Sequence, residues 1–141
     1  AIPVHKRDDD LPTRFQVQLV IRPHSEAHHD FRGYAGKLLS GTLQVGQPVA
    51  VLPSGKTSVI KNMYAGYKKI TAAHAGESLN IELQDDVDIS RGNTLVPAGE
   101  AAPQLAQCNA RLTWMDEQPL TAGKTFLLQH GVHRVKAKIN S

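Results

Sequence analysis

Polar and apolar residues alternate along much of this chain with a period of two, and almost nowhere with the period of a helix. Thr13 to Arg22 is the clearest case: Phe15, Val17, Leu19 and Ile21 fall on one face and Gln16, Gln18 and Arg22 on the other. That pattern predicts a half-buried strand, ended by Pro23. Tyr34 to Val45 has the length of a long strand, and Gly46-Gln47-Pro48 stops it. Glycine weakens a strand interior unless the chain must bend or approach another backbone closely. Gly33, Gly36 and Gly41 therefore predict a strongly curved strand of a small closed barrel. Val49 to Leu52, the turn Pro53-Ser54-Gly55 and Lys56 to Tyr64 read as a hairpin. Tyr67 to Ala75 gives no decided pattern. Ser78 to Leu83 alternates again, with Leu79, Ile81 and Leu83 inward, and Thr94 to Val96 is a last short strand after the acidic loop Asp85 to Gly92.

The punctuation divides the chain. Residues 1–12 mix prolines, a basic pair and Asp8-Asp9-Asp10 without periodicity, and read as a flexible arm. Residues 13–97 are the barrel. Residues 98–103, small and bounded by Pro97 and Pro103, form a linker. Residues 104–141 hold three predicted strands, Gln104 to Met115, Thr125 to Gln129 and Val132 to Ile139, marginal as an independent domain. The class is all-β: a small closed β-barrel followed by an incomplete second β domain. No internal repeat is legible.

Composition narrows the functional classes. The 141 residues are 40% hydrophobic, enough to bury a core. A net charge of +3 and 5% aromatics argue weakly for nucleic acid, because a single-strand platform needs both charge and stacking rings. One cysteine, Cys108, allows neither an internal disulfide nor a cysteine-built zinc site, and fits a reducing, cytoplasmic home. No apolar run reaches the roughly 20 residues of a membrane span. The first residue is not Met, so the chain is expected to be cut from something longer.

Three stretches imitate chemistry. Ala50 to Thr57 satisfies a relaxed phosphate-loop pattern, but β-branched residues follow where a helix is required, and Pro53 removes a donor. It reads as a hairpin turn. Asp86-Val87-Asp88-Ile89-Ser90 opens like a calcium loop, but Gly92 is one place late and no glutamate closes it. It reads as an acidic turn whose carboxylates cap backbone donors or pair with Arg91. His24, His28 and His29 with Glu26 and Asp30, and separately His130 and His133, are read as solvated rather than metal-binding. Arg134, Lys136 and Lys138 make a basic face on the last strand. Catalytic, cofactor-binding and metal sites are accordingly expected to be absent from this chain.

Five motifs in order carry a resemblance: Phe31-Arg32-Gly33-Tyr34-Ala35-Gly36, Val45-Gly46, Val51 to Lys56, Ala75-Gly76-Glu77 and Asp88-Ile89-Ser90-Arg91-Gly92. Together they resemble the second domain of the GTP-binding subunit of bacterial sulfate adenylyltransferase, the barrel that follows the GTPase domain across the elongation factor Tu superfamily. Trp114 to Leu120, with Gly123 and His130-Gly131, looks like the start of that subunit's third domain. Asn93 stands where that family has aspartate, and Ala65 to Lys69 is basic where the family tends to be acidic.

The resemblance implies a translation-factor domain II fold and a parent protein that is an enzyme, while the fragment alone is not. The family's heterodimer makes adenosine 5′-phosphosulfate from ATP and sulfate, driven by GTP hydrolysis. GTP and Mg2+ would belong to a GTPase domain outside this chain. The partners implied are that GTPase domain and the catalytic ATP-sulfurylase subunit, with no membrane and no nucleic acid. Asp30, Phe31, Arg32 and Tyr34 are the expected interdomain face, polar and aromatic groups on a glycine-rich strand. The other reading has Arg32 bridging Asp30 or Asp88 within the barrel. Two further functions stay open: domain II of a translational GTPase that binds tRNA or the ribosome, and a stand-alone interaction barrel.

Overall fold

A computed structural model describes residues 8–22, 32–100 and 102–140. Among these residues there are eleven strands and no helix. The chain divides into two compact units, Ala1–Ala102 and Pro103–Ser141.

The first unit contains β1 (Arg14–Ile21), β2 (Gly33–Ser40), β3 (Thr42–Gln44), β4 (Pro48–Leu52), β5 (Thr57–Ala65), β6 (Lys68–Ile70), β7 (Ala72–His74), β8 (Ser78–Leu83) and β9 (Thr94–Pro97). The antiparallel order β4-β9-β1-β2-β8-β5 returns to β4 through the β4–β5 pairing, so six strands close a barrel. β6 lengthens the sheet beyond β5, and β3 pairs with β7 separately. Closure leaves the barrel strands without a free edge, and Phe15, Val17, Leu38, Val49, Val51, Met63, Ile81 and Leu95 fill the interior at 0% exposure.

Three readings of the barrel are corrected here. The long strand Tyr34 to Val45 is broken by Gly41, whose φ of +72° interrupts the pleat and ends β2 before β3 begins. A side chain at Gly41 would also overlap Thr13, its Cβ falling 2.2 Å from the Thr13 hydroxyl oxygen. Clean alternation fails in β1 after Val17. Val17 pairs with Gly36 and Leu19 with Ala35, so Gln18 is an extra residue and the strand bulges. The bulge reverses the facing: Leu19 is 59% exposed, and Val20 packs toward the core instead. The close approach beside it requires Gly36, since a Cβ there would lie 2.0 Å from the Gln16 carbonyl oxygen.

The third correction is a hidden repeat. β3, its turn and β4 match β7, its turn and β8 position for position. Gly46 and Gly76 have φ of +86° and +91°. The Gln44 N–H donates to Gln47 Oε1 at 3.1 Å, and the His74 N–H donates to Glu77 Oε2 at 3.1 Å. Gly46 N–H donates to Ile60 O at 2.8 Å, and Gly76 N–H to Leu38 O at 2.7 Å. Leu43 pairs with Ala73 at the centre of the β3–β7 ladder, which relates the two copies by an approximate two-fold axis. Only the glycine is identical between the copies, so the sequence conceals the repeat.

Residues 8–12 are tied to this barrel: the Asp8 carbonyl accepts from Gly41 N–H at 2.8 Å, and Asp9 Oδ1 accepts from Ala75 N–H at 2.8 Å. In the second unit, β10 (Thr125–His130) and β11 (His133–Lys138) form an antiparallel hairpin with Leu128 opposite Val135 and Phe126 opposite Ala137. Residues 104–115, expected as a strand, have no ladder partner and form no strand, with a bend at residues 106–107. Trp114 is held by donating from Nε1 to the Gln118 carbonyl at 2.6 Å and by an edge-on contact with Phe126, ring centroids 5.5 Å apart.

Candidate partner interface

The glycine-rich start of β2 is built to let two strands come close and to place two side chains on the acidic loop that follows β8. Tyr34 alternates inward and is 1% exposed, and its hydroxyl donates to the Val87 carbonyl at 2.9 Å. This corrects the expected face: Tyr34 is a core residue whose polar end ties down a loop. Burial pushes the Tyr34 phenol above its ordinary value, opposed by the neighbouring Arg32 guanidinium. Arg32, at the other side of Gly33, bonds through Nη1 to Asp86 Oδ1. Among the described residues the partner of Arg32 is thus Asp86 rather than Asp88. Asp30 and Phe31 lie outside the described residues.

The loop is more than a solvated acidic turn. Val87 and Ile89 are buried at 6% and 3% exposure and continue the barrel's alternation past the end of β8. Asp85 is held by Ser58, which donates from Oγ to Asp85 Oδ2 at 2.8 Å and accepts from the Asp85 N–H at 3.1 Å. At the far end Asn93 Oδ1 accepts from Ser90 N–H at 2.8 Å. That job needs a side-chain oxygen at Cγ, which asparagine and aspartate both supply, so the departure at Asn93 leaves the turn intact. Gly92 N–H and the Asn93 carbonyl then bond Val17 on β1, each at 2.9 Å, next to the bulge. Between bulge and loop lies a shallow, open depression walled by Leu19, Arg22, Asp88 and Arg91. The apolar Leu19, aimed outward by the bulge, stands there between charged side chains. Nothing in the alternation of β1 reveals it, since the bulge is set by Gly36 on another strand.

The phosphate-loop imitation does not fit a nucleotide. Gly55 N–H donates to Val51 O at 2.7 Å and Lys56 N–H reaches Ser54 Oγ at 3.4 Å, so the donors are consumed within the β4–β5 turn. No helix follows it; Thr57 begins β5. His24, His28 and His29 are outside the described residues. His130 and His133 face each other across the β10–β11 ladder. Among the described residues no three His, Cys, Asp or Glu side chains gather as a metal site. No helix of the described residues is long and apolar enough to cross a membrane.

A second face runs over the outside of β5, β6 and β8. Glu82 accepts from Lys61 Nζ at 3.0 Å and from Asn62 Nδ2 at 2.7 Å. Partial burial pushes its carboxyl up, but the Asn62 and Lys61 hydrogen bonds and the charges of Lys61 and Lys69 outweigh that and leave it below the ordinary value.

No protein-family model matches the chain. Over all 141 residues it is 41% identical to sulfate adenylyltransferase subunit 1 of Sodalis glossinidius and 39% identical to sulfate adenylyltransferase subunit 1 of Citrobacter koseri. The chain spans 29% of the length of each of these proteins. The resemblance read from the motifs is thereby borne out along the full chain. In fold the chain is similar to a bacterial selenocysteine-specific elongation factor, EF-Sec, with a TM-score of 0.76 over 98% of this chain and 22% of the other. At 19% identity that likeness concerns the fold alone.

Proposed function

We propose that this chain is the non-catalytic β-barrel region of a GTP-hydrolysing sulfate adenylyltransferase subunit. In this reading it couples the state of a GTPase domain elsewhere in the parent chain to a catalytic subunit that makes adenosine 5′-phosphosulfate from ATP and sulfate in the cytoplasm. The observation that carries the reading is the 41% identity over all 141 residues to a subunit 1 of that enzyme. GTP and its Mg2+ bind in the GTPase domain, and no step of the chemistry runs through the barrel. What the barrel contributes is rigidity: a closed sheet moves as one body, so a contact made on one face displaces the other. The acidic loop is the part fitted to pass that motion. It is clamped from beneath by Tyr34 and from the side by Arg32, and its outer carboxylates remain open to a partner.

The test is made on the intact two-subunit enzyme. Arg32→Ala is expected to lower GTP-stimulated formation of adenosine 5′-phosphosulfate while thermal stability barely changes, because an exposed ion pair contributes about 0–1 kcal/mol. Unchanged stimulation would remove the loop from the coupling path. The competing reading, domain II of a translational GTPase, rests on the EF-Sec fold likeness and requires salt-dependent RNA binding by the parent protein. A native gene product of only about 15.4 kDa would remove both GTPase readings and leave a free-standing interaction barrel.

A further inference from the structure

The β5–β6 hairpin ends the sheet order, and among the described residues no strand pairs with β6 beyond it. β5 closes the barrel with its first half, pairing Thr57 to Val59 with β4, and carries β6 on its last three residues. Ala65 pairs with Lys68, so the turn is the two residues Gly66 and Tyr67. Gly66 has φ +62° and Tyr67 does not have positive φ, as in a hairpin turn that demands glycine at its first central position and nothing particular at its second. Yet the second position is a tyrosine, 108% exposed. A ring in that position buries no area on folding, so the fold does not account for it. Its chain neighbours Lys68 and Lys69 are exposed as well. Lys69, opposite Tyr64, acts with Lys61 (57% exposed) on Glu82, which is already engaged with Lys61 and Asn62, while Lys68, opposite Ala65, emerges on the other face, so the two lysines flank the tip from both sides.

We propose that the Tyr67 tip, with Lys68 and Lys69, is a docking element for an acidic protein surface on the partner subunit. Tyrosine supplies a large, stiff, amphipathic contact with little entropy to lose, and lysines around it select and steer a carboxylate-rich patch. A protein surface fits better than nucleic acid. One ring cannot stack successive bases, and the chain carries 5% aromatics and a net charge of only +3. The inference rests on the two-subunit reading above for the identity of the partner, and on the hairpin's own geometry for the chemistry of the contact.

The experiment places a photo-crosslinking amino acid at position 67 of the full-length protein in its native assembly, and at Gln44 as a control position in the turn region of the barrel. The expected result is a cross-link from position 67, and none from position 44, to an acid-rich peptide of the catalytic subunit. In parallel, Lys68→Glu with Lys69→Glu is expected to weaken the association by about tenfold at low salt, to flatten its salt dependence and to leave the melting temperature unchanged. Cross-links to an acidic surface of a different protein, weakened by the same charge reversal, would keep the docking element and overturn the sulfate-enzyme partner. A catalytic subunit that still assembles normally with the charge-reversed tip, or a position-67 cross-link only to RNA or to the same chain, would overturn the docking element and leave the parent reading standing.

Discussion

Phe15 and Val17 in β1 and Leu127 and Leu128 in β10 are all large apolar strand residues, but the first two are 0% exposed and the second two are 63% and 50% exposed. Both strands have antiparallel partners. What differs is the second layer. In the barrel, strands on the opposite wall supply side chains to meet Phe15, whereas the β10–β11 hairpin offers its Phe126–Leu128–Val135 face mainly the Trp114 ring. Backbone pairing makes a strand; only closure or stacking makes a core. The comparison therefore sorts the chain into a region held by packing and a region held by a ladder and one aromatic contact.

The largest perturbation expected is Gly36→Val. Its side chain meets β1 backbone, which has no rotamer to yield, so the barrel should lose about 3 kcal/mol or more, read as loss of the cooperative unfolding transition. Retention of a native melt would mean that the β1–β2 approach is not required. Tyr34→Phe is the next step down. It keeps the ring and strands the Val87 carbonyl, for about 1–2 kcal/mol in denaturant unfolding. An unchanged midpoint would deny that the loop is clamped from the core. Trp114→Ala acts on the other region and should cost the second unit about 1 kcal/mol, detected as broadened amide signals confined to residues after Pro103. Spread of the change into β1–β9 would break the division into two regions.

The smallest effect is acid titration of Glu82. Its folded carboxyl sits below the ordinary value of 4.5, so the folded state holds the charged form better than the unfolded chain does. That contribution is present above the unfolded value and is lost as pH falls from about 4.5 through the folded value. Glu82→Gln should flatten stability against pH in that window by a few tenths of a kcal/mol. An identical pH profile in wild type and variant would show that the Lys61–Asn62–Glu82 cluster adds nothing to folding.

Much of the architecture was legible in the residues. Period-two alternation located most strands, Gly46, Gly55 and Gly76 located turns, and the order of the glycine motifs pointed to the barrel and to its relatives. These are local properties: alternation follows from the pleat, and positive φ favours glycine wherever it occurs. The candidate interface was half legible. Arg32 and the acidic loop were singled out, but their pairing through Asp86 joins residues 54 positions apart. Tyr34 looked like a surface residue until its facing was set by the barrel.

The sequence by itself determined that the chain would be all-β, where it would turn, and which family it resembles, because those follow from short-range sterics and spacing. Tertiary structure alone decided the bulge that turns Leu19 outward, the two-fold relation between the Gly46 and Gly76 turns, and the exposure of Tyr67. Each depends on what lies across the sheet: a glycine on a neighbouring strand, an antiparallel ladder between distant segments, or the lack of any described neighbour at a hairpin tip. A linear pattern specifies which way a side chain alternates, but the partner strand sets the register and so the face on which it emerges.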